Sequence, residues 1–396
     1  MNHKKIDFSN ISRICFEFST LIDQKREDIT NILINYESRS VIEDEIKRSI
    51  KCLKNIKTEK EYFDLNRISK ISTFFPLNLP LYSTILFAIT PSFFAEIVYL
   101  RPPVLMRSIL KDIFKLLDIE STFSIKLCEV ERSIFVNEFV KNSDIIIFTG
   151  QYKNALDLLP KIQDKAMLIY NGAGVNPVIV TESANISLAV KKVKEVKVFN
   201  SGQDCAGPDI IFVNEKVEDD FLELLKISLS SVGIGEYLTD NEVGPLIDSK
   251  HLLYIEKILQ SYKEDIVFGG RIDFDCGIVY PTIIKTKVNQ KINYSEFFAP
   301  IFFMCTYKSE EDLLRYFADN KYRDYTMYVS VFGDFKLYEC LGNSIILNEK
   351  NILDFEDGNK EFGGYGNKAS FVYKNNKMIS SPILVSREIN KYLKDL

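Results

Sequence analysis

One segment of the chain combines residue types that suit nucleophilic chemistry. In NSGQDCAGPDIIFVN, residues 200–214, Cys205 follows a small, turn-forming stretch and precedes a strongly β-branched run. The cysteine therefore lies at a loop-to-strand junction, where backbone N–H groups can point at the sulfur and stabilise a thiolate and later an oxyanion. A free cysteine is also commonly a small buried residue without chemistry. Position alone leaves both interpretations of Cys205 open.

Other catalytic and metal-binding patterns find little support in the sequence. The chain has two histidines, His3 and His251, and its seven cysteines form no Cys-x-x-Cys pair, so we expect neither a metal site nor a disulfide framework. It has no G-x-S-x-G elbow and no P-loop, and Gly172-Ala173-Gly174 lacks the third glycine of a dinucleotide fingerprint. We expect His251, in the helical stretch SKHLLYIEKIL, to have a structural role.

The cysteine segment resembles a known family motif. Residues 200–205, Asn-Ser-Gly-Gln-Asp-Cys, are similar to the N-x-G-Q-x-C motif of the aldehyde dehydrogenase superfamily. Seven further segments resemble that superfamily in the same order, namely Pro76–Leu81 (P-W-N-F-P-L), Val98–Pro102 (V-V-L-K-P), Phe148–Gly150 (F-T-G-S), Gly244–Ile247 (G-P-L-I), Tyr280–Thr282 (a P-T strand end), Glu296–Pro300 (E-I-F-G-P) and Glu361–Gly364 (P-F-G-G). The resemblance covers residues 76–366, and residues 1–70 carry little of it.

The resemblance implies a thiol mechanism. Cys205 would attack an aldehyde to give a thiohemiacetal, which passes hydride to NAD(P) and leaves a thioester. The side-chain amide of Asn78 and the backbone N–H of Cys205 would donate to the developing oxyanion. The superfamily's general base, a Glu that activates water, aligns with Asn171, and an amide cannot take a proton. We therefore expect an acylating or reductive enzyme, in which an acyl group from CoA, a carrier or a phosphate is loaded on Cys205 and reduced to an aldehyde.

Two alternatives stay open. The first is ordinary oxidation of an aldehyde to the acid, with another carboxylate or a water chain replacing the missing base. The second is a catalytically silent homologue that acts as a structural subunit. Departures from the superfamily pattern at Asn171, Gln151 and Ala299 favour the silent homologue. The joint presence of Cys205, Asn78 and Glu296 favours an enzyme.

The resemblance also implies a cofactor site. Thr149 and Gly150 would contact the pyrophosphate, Arg101 the adenosine side and Glu296 the nicotinamide ribose, with Phe298 packing beside it. The Glu that often follows the ribose-binding residue in the superfamily is missing after Arg101. A 2′-phosphate would then not be repelled, and Arg101 could pair with it. The sequence therefore favours NADP over NAD.

Alternating strands and helices must position these residues. Short β-branched runs predict strands at 97–100, 144–148, 166–170, 177–181, 209–214, 278–284, 301–306, 326–332 and 344–348, with amphipathic helices between several of them. That alternation is typical of an α/β protein with largely parallel sheets. The resemblance implies an aldehyde dehydrogenase-like fold with a Rossmann-like cofactor domain, an α/β catalytic domain and a small oligomerisation element, expected at residues 1–171, 172–370 and 371–396.

Composition and charge limit the partners. The 396 residues carry a net charge of −5, which gives no general attraction for nucleic acid or anionic membranes. Residues 81–100 are apolar enough to suggest a membrane span, but Pro91 and Glu96 oppose it and favour a buried helix followed by a strand. The start of the chain has no apolar leader, so we expect a cytoplasmic protein. The apolar tail at 381–388 is expected to be a strand that adds to a neighbour's sheet in a homodimer.

Overall fold

The computed structural model describes residues 7–63 and 67–395, so that His3 lies outside the described residues. Its helices are α1 (Phe8–Gln24), α2 (Arg26–Leu33), α3 (Arg39–Lys54), α4 (Pro80–Thr84), α5 (Thr90–Ser92), α6 (Arg107–Leu116), α7 (Ile119–Thr122), α8 (Arg132–Glu138), α9 (Tyr152–Leu156), α10 (Ile186–Val198), α11 (Glu218–Ser230), α12 (His251–Ser261), α13 (Leu314–Ala318), α14 (Asn320–Arg323), α15 (Ile352–Phe355) and α16 (Val385–Lys394). Its strands are β1 (Ile68–Phe74), β2 (Ala95–Arg101), β3 (Ile125–Leu127), β4 (Ile145–Thr149), β5 (Met167–Asn171), β6 (Val178–Val180), β7 (Ile211–Asn214), β8 (Ile266–Phe268), β9 (Ile272–Asp273), β10 (Ile278–Val279), β11 (Thr282–Lys287), β12 (Ile301–Tyr307), β13 (Tyr328–Phe332), β14 (Ile345–Asn348), β15 (Ser370–Lys374) and β16 (Lys377–Ser380).

The first sheet has seven strands in the order β16-β15-β5-β4-β1-β2-β3. Strands β5 to β3 of this order are parallel, while β15 and β16 are antiparallel. The central strand β1 pairs with β2 on one side and with β4 on the other, so the strand order reverses beside it. In open α/β sheets such a switch point, at the carboxyl ends of the strands, is where ligands bind.

The second sheet also has seven strands, in the order β14-β13-β6-β7-β12-β11-β8. All of its pairs are parallel except β11 with β8. Strands such as β12 and β13 are buried along their whole length, which explains why they read as continuous apolar runs. The segment 172–177 links the last parallel strand of the first sheet to β6 of the second. The chain thus has the α/β fold with largely parallel sheets that the sequence predicts, and each of its two seven-stranded sheets is mixed because of its antiparallel strands.

All nine strand regions expected from the sequence contain strands, but the tail prediction is wrong. Residues 381–388 do not form a strand, because α16 begins at Val385 and packs against its own chain. Val385, Ile389 and Tyr392 lie at helical spacing and are all buried, so the apolar residues cover one face of a helix. The strands near the carboxyl end are instead β15 and β16, which extend the first sheet from β5.

The region suspected of spanning a membrane is a broken, buried helix. It runs through α4, a π-helical turn at Ile85–Ile89 and α5, and ends before β2. Among residues 7–63 and 67–395, no helix has the length and apolar character needed to cross a membrane. One side of this helix packs against α3, which brings an N-terminal helix close to the segment that carries Asn78.

Candidate active site

A cavity of about 100 Å³ lies between the two sheets and contains most of the expected catalytic residues. Cys205, Asn78, Asn171 and Thr149 all line it. Apolar side chains form much of the remaining wall, including Leu79, Tyr82, Leu86, Phe87, Phe362, Ile383, Leu384 and Val385. The carboxylate residues Glu59, Asp204, Glu356 and Asp357 line it as well. Residues that are far apart in the sequence thus surround one thiol.

The loop before Cys205 has an unusual backbone. Asn200 and Ser201 both adopt left-handed conformations, with φ of 48° and 54°, and Gly202 follows with φ of 73°. A Cβ atom on Gly202 would lie 2.4 Å from the carbonyl carbon of Ala299, so only glycine fits there. This tight turn explains why a small, turn-forming stretch precedes the cysteine in the sequence.

The linker between the sheets holds the backbone of Cys205. Its carbonyl oxygen accepts from the Gly174 N–H at 3.2 Å and from Asn176 Nδ2 at 3.3 Å. Asn176 Nδ2 also donates to the carbonyl of Gly207 at 3.3 Å. The Gly172-Ala173-Gly174 segment, which the sequence leaves as a weak dinucleotide signal, therefore supports the cysteine loop.

Asn78 reaches from the first sheet to this loop. It follows β1, and its Nδ2 donates to the backbone carbonyl of Gln203 at 3.1 Å, two residues before the cysteine. The next residue, Leu79, has a left-handed conformation with φ of 50° and occupies the cap position before α4. The structure therefore brings the expected oxyanion donor and the expected nucleophile together in one cavity.

Asn171 and Thr149 lie side by side at the carboxyl edge of the first sheet. They end β5 and β4 and are paired in the register of the two strands. Asn171 is buried, and among the residues that the structure describes its Nδ2 has no hydrogen-bond partner. The hydroxyl of Thr149 is buried and unpaired in the same part of the chain. Buried polar atoms without partners are unusual, and here they face the switch point where a ligand would bind.

The electrostatics around the thiol differ from the sequence expectation. Burial raises the pKa of Cys205 well above its ordinary value, and the carboxyl groups of Asp204, Glu296 and Glu356 raise it further. The stabilisation of a thiolate by backbone N–H groups is therefore outweighed in the resting site. Burial, with the carboxyl of Asp209, also raises the pKa of Glu296 to about 8. The resting thiol is neutral, and its proton must leave when the sulfur reacts.

The residues expected at the cofactor are not all in the cavity wall. Glu296 and Phe298 lie on the loop before β12, where Phe298 has φ of 48°. His251 supports this loop, because its Nε2 lies 2.7 Å from the carbonyl oxygen of Phe297, and its ring meets that of Phe298 edge-on at 6.2 Å. Gly150 follows Thr149 with φ of 142° and accepts from the Tyr170 hydroxyl at 3.0 Å.

Arg101 lies at the carboxyl end of β2, away from the cavity, in a cluster of three arginines. Arg101 Nε and Arg107 Nη2 both donate to the carbonyl of Val130, each at 3.1 Å. Burial and the positive charges of Arg107 and Arg132 lower the pKa of Arg101. The buried Nε of Arg107 has no partner among the described residues. Sequence reasoning missed Arg107 and Arg132, although both follow strand ends that could have suggested this edge of the sheet.

Sequence reasoning also missed two carboxylates that line the cavity, Glu356 and Asp357, and the helix α3 that binds them. Glu356 forms an ion pair with Arg48 of α3, whose guanidinium also bonds Asp44. Asp357 pairs with Lys51 of the same helix at 3.0 Å. These residues come from segments without family motifs, and only the charged pattern of α3 hints at them.

Comparison with known proteins gives a consistent family assignment. The sequence model of the aldehyde dehydrogenase family matches residues 128–371. The chain is 33% identical over 144 residues to the 4,4'-diaponeurosporen-aldehyde dehydrogenase of Staphylococcus aureus, covering 36% of this chain and 31% of that protein. It is 27% identical over 245 residues to the lactaldehyde dehydrogenase of Methanocaldococcus jannaschii, covering 59% of this chain and 50% of that one. The matches thus span half or less of the length of these two relatives.

The fold is also that of solved structures. The crystal structure of glyceraldehyde-3-phosphate dehydrogenase GapN from Methanocaldococcus jannaschii, complexed with NADP, superimposes with a TM-score of 0.78 at 19% identity. The superposition covers 99% of this chain and 89% of that one. At this identity the likeness establishes the fold of the chain.

Proposed function

The chain belongs to the aldehyde dehydrogenase family, and on that premise we propose that it is an NAD(P)-dependent oxidoreductase in which Cys205 carries the acyl group. One observation carries the proposal. The cavity between the sheets combines the thiol with Asn78, a donor held beside the cysteine loop. An amide fixed next to a nucleophile is the arrangement that acyl transfer needs.

In the proposed reaction the Cys205 sulfur forms a bond to the carbonyl carbon, and the carbonyl oxygen takes up the electron pair. Asn78 Nδ2 has a second hydrogen besides the one donated to Gln203, and it would donate to that oxygen together with the Cys205 N–H. One such donor typically contributes about 3 kcal/mol. The thiol proton leaves during the attack, and the carboxylate of Asp204, which lines the same cavity, is the candidate acceptor.

The first sheet fits a dinucleotide at its switch point. The Thr149 hydroxyl and the Asn171 amide, which have no partners among the described residues, face this position. Gly150 has φ of 142°, a conformation that favours glycine, so no Cβ atom projects into the turn. When bound, NAD(P) would exchange a hydride with the carbon attached to the sulfur. We assign Thr149 and Gly150 to the phosphates and Glu296 with Phe298 to the nicotinamide side.

The arginine cluster favours NADP(H), because three cations at the end of β2 would attract a 2′-phosphate. Replacing Arg101 by alanine should weaken NADPH binding about 10- to 100-fold, as loss of a charged hydrogen bond does. NADH binding should change little. Fluorescence titration with both cofactors measures this, and Arg13→Ala, which removes an exposed ion pair on α1, is the control. Equal losses for both cofactors would exclude Arg101 as the residue that recognises the phosphate.

The acyl group is proposed to leave to a thiol or phosphate and not to water. Asn171 stands where the family's general base would be, and an amide gives up a contribution of about 10²–10⁴-fold to water attack. The enzyme would then reduce an activated acyl group, such as an acyl-CoA or acyl phosphate, to an aldehyde. Product analysis with propanal, NADP⁺ and either CoA or phosphate tests this. Free acid formed at a rate independent of CoA and phosphate would contradict it.

A specific observation favours oxidation to the acid as a second candidate. Glu356 lines the cavity of Cys205, and burial raises its pKa although Arg48 lowers it. This carboxylate could replace the missing base, and the two relatives described above are named as aldehyde dehydrogenases. In that case Glu356→Gln would suppress release of free acid while leaving acylation of Cys205 intact.

A silent homologue would instead show no selective labelling of Cys205 by a thiol reagent and no protection by NADP⁺.

We propose a homodimer as the assembly, with the edge strand β16 as one contact. Ile379 on this strand is 64% exposed, which is unusual for isoleucine and suits an additional strand or subunit. Light scattering tests the assembly. A mass of 45.7 kDa, that of one chain, would exclude the dimer.

A further inference from the structure

Helix α3 carries no family motif, yet it contacts the segment that holds Asn78. The side chain of Glu45, on α3, is completely buried. Its Oε2 accepts from the Leu81 N–H at 3.3 Å and its Oε1 from the Tyr82 N–H at 3.4 Å. The carboxyl group therefore accepts hydrogen bonds from the backbone at the start of α4, where Leu81 is 36 residues away from Glu45 in the sequence.

These two N–H groups are the ones that a local cap would normally satisfy. At the start of α4, Pro80 has no N–H, and Leu79 at the cap position has no side-chain acceptor. Leucine is a poor capping residue, whereas Ser, Thr, Asp and Asn are preferred. Glu45 supplies from another helix the acceptor that the local sequence lacks.

The capped turn adjoins the oxyanion donor. Leu79 lies between Asn78 and the capped helix and has φ of 50° and ψ of 63°. A non-glycine residue in this region is strained and persists where its surroundings hold it. On one side Asn78 is tied to Gln203, and on the other the helix is tied to Glu45.

We propose that Glu45 is a positioning residue for Asn78, and that helix α3 is thereby part of the active site. The proposal rests on the proposed role of Asn78 as an oxyanion donor. Glu45 holds the first turn of α4, and that turn holds the strained Leu79, so the amide of Asn78 keeps its direction toward the cysteine loop. Loss of the cap lets the turn relax and moves the donor away from the position of the oxyanion.

A second buried carboxyl supports this arrangement. Glu37, at the end of the segment before α3, lies against Glu45, and both are buried. Burial raises the pKa of both groups, and Glu37 raises the pKa of Glu45 further, whereas the hydrogen bond from Glu45 partly offsets the rise at Glu37. The pair therefore keeps a proton at neutral pH. A glutamine at position 45 would keep the side chain neutral, and its NH₂ can donate to Glu37. Its single oxygen replaces only one of the two carboxyl oxygens that accept from the Leu81 and Tyr82 N–H groups.

The test uses the full chain and 4-nitrophenyl acetate, which acylates a reactive thiol and releases nitrophenolate without any cofactor. Glu45→Ala is expected to slow the acylation burst about 10- to 100-fold, the range for a donor displaced by about 1 Å. Glu45→Gln, which keeps one of the two acceptors, should have a rate between those of Glu45→Ala and the unmodified protein. Glu43→Ala, an exposed carboxyl on the same helix, serves as the matched control and should have no effect.

A double-mutant cycle separates positioning from general stability. In an Asn78→Ala background, Glu45→Ala should slow acylation little further, because the donor that it positions is already gone. If acylation were slow in Asn78→Ala but fast in Glu45→Ala, the positioning role of Glu45 would be overturned and the role of Asn78 would stand. Additive losses would overturn it too, since they would show that Glu45 acts through something other than Asn78. A fast Asn78→Ala protein would instead contradict the proposed oxyanion donor, and the role of Glu45 would fall with it.

Discussion

Two asparagines face the same thiol, and the structure treats them differently. The amide nitrogen of Asn78 donates to Gln203, and the strained residue beside it is held by a capped helix. The amide nitrogen of Asn171 is shielded from solvent but has no partner within the described ranges. The hydrogen bond to Gln203 fixes the direction of the Asn78 amide. The nitrogen of Asn171 keeps its hydrogen-bonding capacity, which fits the proposed binding of a ligand there. The comparison suggests which asparagine acts in the acylation step and which governs the fate of the acyl group.

The difference follows from where the two residues stand. Asn78 lies in a loop after the central strand β1 and can reach across to the cysteine loop near the second sheet. Asn171 is the last residue of β5, and its strand neighbour Thr149 also has an unsatisfied side chain. In open α/β sheets the carboxyl ends of the strands line the crevice in which ligands bind, and Asn171 stands at such an end.

The largest effect is expected from giving Asn171 the missing carboxylate. Asn171→Glu should raise the release of free acid from an aldehyde and NADP⁺ by about 10²–10⁴-fold, because a general base can then activate water. Asn171→Gln, which adds length without a carboxylate, is the matched control. Acid and thioester products can be quantified in the same reaction. If the glutamate variant released no more acid than the glutamine variant, Asn171 would not control the acyl acceptor.

The next effect concerns Asn78. Asn78→Ala should lower the rate of acylation by about 10²–10³-fold, the usual cost of one oxyanion donor. Asn171→Ala should change that rate far less, since its amide is assigned to a later step. Burst kinetics with 4-nitrophenyl acetate measure both variants. Equal losses in the two variants would remove the functional difference between the asparagines.

Much of this site follows from the sequence because its residues end strands. Thr149, Asn171 and Arg101 each close a β-branched run, and the carboxyl ends of parallel strands meet at one edge. The sequence also predicts the turn before Cys205 from its small residues. The structure shows that only glycine fits at Gly202, because it lies so close to Ala299. Short-range patterns and parallel pairing therefore suffice to place the three strand-end residues at one edge of the sheet, with Thr149 beside Asn171 and Arg101 away from the cavity.

The contribution of the N-terminal helices could not be read in this way. Glu45 caps a helix that begins 35 positions later, and Arg48 pairs with Glu356 across the fold. In the sequence both residues look like the solvated face of a charged helix. Their burial results from tertiary packing, which changes pKa values as well as contacts. The raised pKa of Cys205 has the same origin and was likewise invisible in the local turn.

The buried carboxyl of Glu37, which lies against Glu45, should make the stability of the folded chain depend on pH. Burial raises the pKa of Glu37 from 4.5 to about 8, with Asp44 adding to the shift, so between these values the folded chain binds more protons than the unfolded chain. Stability is therefore highest below about pH 4.5 as far as this group is concerned, and it is lost as the pH rises toward 8. Melting temperatures across this window should fall less steeply in Glu37→Gln.

The exposed Glu17, paired with Arg13 on α1, gives the control for that measurement. Glu17→Gln should leave the slope of melting temperature against pH unchanged. Because the pKa of Glu296 is also raised to about 8, part of the slope should remain in Glu37→Gln. A slope identical to that of the unmodified protein would show that the buried pair near Asn78 does not titrate in this range.

The smallest effect is expected in the stability of the two asparagine variants. Asn78→Ala removes a hydrogen bond and should lower the free energy of unfolding by about 1 kcal/mol. Asn171→Ala removes a buried amide whose nitrogen has no partner among the residues that the structure describes, so the desolvation penalty that disappears should offset the packing that is lost. Urea unfolding midpoints, measured without cofactor, compare the two. If Asn171→Ala were the less stable variant, its amide would be bound within the protein, and the unpaired nitrogen could not be what the site offers to a ligand.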